Sequence, residues 1–99
     1  MNLIEKNIKQ IRFLCSKHKV SRLFVFGSVL SGKFKKNSDI DFVVDFSNVN
    51  IRDYADNYFD FKFSLENLFK RNVDLLEESA IHNPYLRQSI DLNKQIVYG

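Results

Sequence analysis

Two hydrophobic rhythms alternate along the chain. From residue 2 to residue 18 apolar side chains recur at spacings of four, three and four, at Ile4, Ile8, Ile11 and Cys15, with Leu3 and Leu14 beside them. That period predicts a helix. Asn2 can cap it, with Glu5 three residues on as in a capping box, and His18 suits the negative end of the helix dipole. The rhythm then changes. Leu23-Phe24-Val25-Phe26 is an unbroken apolar run, which predicts a strand over 21–26 covered on both faces. Gly27-Ser28 ends it. Residues 28–32 predict a short helical turn broken by Gly32, and Lys33 to Asn37 predict a polar loop. A second strand is predicted over 39–45, with Ile40, Phe42, Val43 and Val44 as its apolar positions, and a turn at 47–50.

The longest helix is predicted over 51–70. Tyr54, Tyr58, Phe61, Leu65, Leu68 and Phe69 mark its inner face. Ala55, Phe59 and Phe63 form a second stripe, read as a surface for a partner rather than a wider core face. Val73-Asp74-Leu75-Leu76 predicts a third strand with a carboxylate inside it. Asn83-Pro84 signals a helix entry, and Tyr85 to Leu92 predicts a helix with Leu86, Ile90 and Tyr85 turned inward. A last strand is predicted over 95–98. This alternation points to an α/β (α+β) class, one sheet with helices packed on it. It does not give the strand order.

Composition narrows the picture. Ninety-nine residues suit one domain, 1–99, and 44% apolar residues argue against disorder. The lone Cys15 cannot form an internal disulfide, which fits a reducing, cytoplasmic setting. No apolar run approaches the roughly 20 residues of a membrane span, and charges from Glu5 onward interrupt any signal-peptide pattern. The net charge of +3 hides a split. Residues 1–38 hold nine Lys/Arg against one Glu, and residues 39–99 hold six against eleven Asp/Glu. An anionic ligand met by the first part and cations met by the second would account for it.

Candidate chemistry lies at the Gly-Ser turn and the acidic positions after it. Residues i and i+2 of a strand share a face about 6.6 Å apart, so Asp39 and Asp41 present two carboxylates side by side. Like charges that close repel unless a cation lies between them, and hard divalent cations take oxygen ligands. An ionised Asp74 in a buried apolar strand also needs a partner or a metal. Were its strand to neighbour the Asp39–Asp41 strand, the three could hold two Mg²⁺ ions about 3.5–4 Å apart, as in-line displacement at phosphorus requires. Gly27, lacking a Cβ, lets backbone approach a phosphate. Ser28 offers a hydroxyl and an N–H at the start of a helical turn. Lys33, Lys35 and Lys36 could screen triphosphate charge. Each piece alone is commonplace, a turn or a solvated strand end; the combination is specific.

Gly27-Ser28, ten intervening residues and Asp39-Ile40-Asp41 resemble the signature of the DNA polymerase β-type nucleotidyltransferase superfamily. Chain length and Asn83-Pro84-Tyr85-Leu86 resemble its minimal (MNT) branch. The resemblance implies the nucleotidyltransferase fold, a small mixed sheet of about four strands with helices packed on it. It implies that Asp39 and Asp41 bind two Mg²⁺ ions, that Asp74 binds the catalytic one and helps deprotonate the acceptor, and that Gly27 and Ser28 hold the phosphates of ATP. Val29 stands where many relatives carry Arg, leaving Lys33, Lys35 or Lys36 to replace it. The implied partner is a HEPN-type RNase toxin, silenced by transfer of AMP to a tyrosine, in a hetero- or homo-oligomer, with neither membrane nor nucleic acid as the expected partner. The alternatives are an antitoxin acting by occlusion, and nucleotidyl transfer to a small molecule or an RNA end.

Overall fold

Asn7 divides the first helix. The structure, a computed structural model, describes residues 3–27 and 38–99. In it the segment predicted as one helix is two, α1 (Leu3–Lys6) and α2 (Ile8–Lys17). Asn7 donates from Nδ2 to the Leu3 carbonyl at 2.9 Å, and its N–H turns to Ile4 O, three residues back. A short amide side chain competing for backbone groups interrupts a helix in this way. Ile4, Ile11 and Cys15 are buried as their spacing predicts. The Asn2 cap, the turn at 28–32, and Ser28, Val29, Lys33, Lys35 and Lys36 lie outside the described residues.

Four strands follow: β1 (Val20–Phe26), β2 (Ile40–Phe46), β3 (Val73–Glu77) and β4 (Gln95–Tyr98), in the spatial order β3-β2-β1-β4. β1 runs antiparallel to β2 and β4, and β2 runs parallel to β3. The sheet is mixed, as expected. The parallel pair is joined by α3 (Tyr54–Phe69), the crossover that parallel strands require. α3 starts three residues later than predicted because Asn50 folds the chain first: its Oδ1 accepts from Arg52 N and its carbonyl from Asp53 N, an Asx turn.

One face of the sheet carries the main core. Leu23 and Val25 of β1, Ile40, Phe42 and Val44 of β2, and Val73 and Leu75 of β3 pack with Ile11 and Cys15 of α2 and Phe61, Leu65 and Phe69 of α3. Phe42 lies 6.1 Å from Phe69 between ring centroids, and Phe46 meets Phe61 edge-on at 6.0 Å. β1 is covered unevenly: Phe24 and Phe26 on its other face are only half-buried.

α4 (Pro84–Asn93) begins as its signal predicts. Asn83 Oδ1 accepts from the N–H groups of Tyr85 and Leu86, with Pro84 at the first helical position. Its inward face differs from the expected one. Ile90 is buried, but Tyr85 and Leu86 are 82% and 44% exposed. A mixed stripe at helical spacing docks instead. Arg87 bonds Glu78 in a 3₁₀ turn (Glu78–Ala80), and Lys94 sets its Nζ 4.4 Å from the Phe24 ring centroid. Charge anchoring, invisible to a hydrophobic pattern, chose the face.

Candidate active site

β2 carries its acidic end between two neighbours. Asp41 pairs in register with Phe26 at the end of β1 and with Asp74 near the start of β3. Asp74 is therefore on a strand adjacent to Asp41, the condition the sequence left open. Period-two alternation puts Asp41 and Asp74 on the face away from α2 and α3. Asp41 is half-buried; Asp39, just before β2, is exposed. Asp74 is exposed too, contrary to the expectation of a carboxylate in a buried strand. Val73 and Leu75 are buried against the helices, whereas Asp74 points to the opposite face of an edge strand.

Gly27 closes the arrangement from β1. Its φ is +81°, a left-handed conformation. A β-carbon there would fall 2.5 Å from Oδ2 of Asp41. Both facts call for glycine.

The carboxylates feel one another. Burial pushes the Asp41 carboxyl above its ordinary value of 3.8, and the charges of Asp74 and then Asp39 push it further in the same direction. Among the described residues no three His, Cys, Asp or Glu side chains are drawn together into a ready metal cage. The donor set still fits Mg²⁺. It is all carboxylate oxygen, its members repel until a cation lies among them, and Mg²⁺ keeps several water and phosphate ligands rather than a full protein cage.

Contacts that hold these strand ends carry no sequence signature. Arg71, two residues beyond α3, donates from Nη1 to Ser38 O at 2.9 Å, and Ile40 N–H donates to Asn72 O at 3.2 Å. Glu66 Oε2 accepts from Val73 N–H at 3.0 Å, and the Tyr58 hydroxyl donates to Leu75 O at 2.5 Å. Partners as much as 33 residues apart leave no mark in a local pattern. Of the predicted site residues, Gly27 abuts Asp41, Asp74 lies in register with it, and exposed Asp39 stands two residues before it; Ser28, Lys33 and Lys36 fall outside the described residues. His18 stands elsewhere, buried, with Nδ1 bonded to Leu14 O and its ring 5.5 Å from Phe61.

The model of the nucleotidyltransferase domain family matches residues 8–97. The chain belongs to that family. This nucleotidyltransferase is 35% identical over 83 residues to MJ1379 of Methanocaldococcus jannaschii, provisionally named a protein adenylyltransferase, covering 84% of this chain and 82% of that one. It is also 35% identical over 97 residues, 97% of each chain, to MJ0435 of the same organism, named in the same way. In fold it resembles a minimal nucleotidyltransferase structure with a TM-score of 0.77 and 28% identity, covering 96% of this chain and 95% of that one. A structure of a tri-AMPylated Shewanella oneidensis HEPN toxin in complex with its MNT antitoxin shares the fold, at a TM-score of 0.67 and 18% identity, covering 98% and 73%.

Proposed function

We propose that this nucleotidyltransferase transfers AMP from ATP to a tyrosine hydroxyl of a HEPN-type partner protein and thereby acts as its antitoxin. The observation that carries the reading is Asp41 in register with Asp74, with Gly27 packed on its carboxylate. Names of relatives support the transferred group, since several are called protein adenylyltransferases. A structural neighbour that is an MNT antitoxin bound to an AMPylated HEPN toxin supports the partner class.

In this reading Asp39, Asp41 and Asp74 hold two Mg²⁺ ions, which when bound neutralise phosphate charge and favour ionisation of the attacking hydroxyl. Gly27 and Ser28 keep the chain close to the phosphates, with Lys33 and Lys36 screening their charge. Asp74, exposed at the sheet edge, faces the incoming acceptor and takes up its proton. The hydroxyl oxygen bonds to the α-phosphorus, the α–β bridging bond breaks in line, and pyrophosphate leaves. The 1–99 chain works as one catalytic unit, and the acceptor arrives on its own protein.

A second reading, neutralisation by occlusion without chemistry, draws on one feature. Phe59 and Phe63 on α3 are 48% and 53% exposed and stack at 5.9 Å between centroids. Two large apolar rings held side by side in solvent suit a docking surface.

The two readings part in one experiment. The chain is co-expressed with a HEPN-type partner and labelled AMP on the partner is measured, with Asp39→Asn/Asp41→Asn as control. The proposal expects label only with the wild type, and loss of neutralisation in the double variant. Equal labelling by both would sink it; neutralisation retained without labelling would establish occlusion.

A further inference from the structure

We infer that Tyr58 and Glu66 are positioning residues, a pair of clamps from α3 that hold Asp74 in register with Asp41. This rests on the proposed role of Asp74 as a metal ligand. Among the described residues Asp74 lies on an edge strand, hydrogen-bonded to a neighbouring strand on one side only. Its own side chain is exposed, so packing does not fix it. Strand ends in that situation open locally at low free energy. In β3 the backbone groups of Asp74 face β2, and those of Val73 and Leu75 face the outer edge. Both of these flanking residues are tied by side chains of α3: Val73 N–H to Glu66 Oε2 at 3.0 Å, Leu75 O to the Tyr58 hydroxyl at 2.5 Å.

The two ties bracket Asp74. They come from positions two turns apart on one rigid helix, whose inner residues Phe61, Leu65 and Phe69 are fixed in the core. The Tyr58 ring is itself seated edge-on against Phe59 at 5.1 Å. Helix α3 thus acts as a splint along β3, and the clamps convert a frayable edge into a fixed platform for a carboxylate. They also occupy edge groups that would otherwise pair with another strand.

The test measures Mn²⁺ binding to the full chain by the loss of its free-ion electron paramagnetic resonance signal, well below the melting temperature. It also follows hydrogen exchange at residues 73–75 without metal. Tyr58→Phe and Glu66→Ala are each expected to weaken Mn²⁺ binding about tenfold, the usual penalty for losing a group that orients a ligand. Both should speed exchange at those amides. Glu66→Gln keeps an acceptor oxygen and should bind Mn²⁺ like the wild type. A clamp of purely structural importance lowers the melting temperature and leaves Mn²⁺ affinity unchanged, and that result overturns the inference. Asp74→Asn separates the two levels. If it weakens Mn²⁺ binding while Tyr58→Phe and Glu66→Ala do not, the positioning role alone is wrong. If it binds as tightly as wild type, the ligand role of Asp74 and the clamp fall together.

Discussion

The carboxylate of Asp41 fills the space that a side chain at Gly27 would need. A β-carbon at Gly27 would fall 2.5 Å from Asp41 Oδ2 and 3.4 Å from its Cγ, on a backbone at φ +81°. Gly27→Ala therefore strains the turn and displaces a proposed metal ligand at once. The backbone alone should cost about 1–2 kcal/mol. Nucleotidyl transfer should fall by about a hundredfold or more, because an active site tolerates little misplacement of its reacting groups. Thermal melting and single-turnover AMP transfer, measured on the same preparation, check both effects.

The same crowding makes Asp41 a strained group when no cation is present. Its carboxyl is raised above 3.8 by burial and by Asp74 and Asp39, so the folded state holds that proton more tightly than the unfolded chain. Its contribution to stability is complete below the ordinary carboxylate value and is lost as pH rises through the raised one. Asp41→Asn should thus melt a few degrees higher than wild type at pH 7 in metal-free buffer. The gap should close at low pH and on adding Mg²⁺, which relieves the repulsion in the wild type. A scan of melting temperature against pH, with and without Mg²⁺, reads all three; a constant gap would count against the shared-cation site.

Cys15 is fully buried in the main core, and burial pushes its thiol from 9.0 up to about 12. The native thiol should resist alkylation at pH 8 and react only on unfolding. The sign at alkaline pH follows: the unfolded chain releases the proton near 9 and the folded one near 12, so stability falls across that window. Tyr54, raised to about 12 by burial and then by Glu77, adds to the fall. Cys15→Ala should flatten the alkaline slope, at about 1–2 kcal/mol of neutral stability for the lost packing. Denaturant melts from pH 8 to 11 provide the comparison.

Phe59 and Phe63 are half-exposed and stack on each other outside the core. Replacing both with Ser should cost about 1 kcal/mol each, from lost partial burial and ring pairing, including the Phe59 contact with Tyr58. If this surface receives the partner, its affinity should drop at least about tenfold, as loss of aromatic anchors commonly causes. Calorimetric titration of the partner against the double variant gives the answer. Undiminished affinity would place the docking surface elsewhere.

Period and punctuation were enough to locate the strands and the three longer helices, α2, α3 and α4. The apolar runs at 23–26 and 40–44 and the Asn83-Pro84 signal are local properties, and local physics acts on them directly. Predictions failed where a polar contact outcompeted a pattern. Asn7 redirected backbone bonds within its own helix, Asn50 delayed α3, and the Arg87–Glu78 pair turned α4 so that Tyr85 and Leu86 face solvent. The Gly-Ser and Asp-x-Asp elements of the site were visible for the same local reason: a left-handed turn and two same-face carboxylates are encoded within a few residues.

The sequence by itself picked out the residues proposed to carry the chemistry, because a residue without a Cβ suits the turn at 27 and carboxylate oxygens suit a hard cation. Only the tertiary structure decided that Asp74 stands beside Asp41, on an exposed edge rather than in a buried strand. Strand order is set by how α3 packs and crosses between β2 and β3, a contact between residues distant along the chain. The same packing brought Tyr58, Glu66 and Arg71 to the backbone around the carboxylates, where no spacing in the sequence could have announced them.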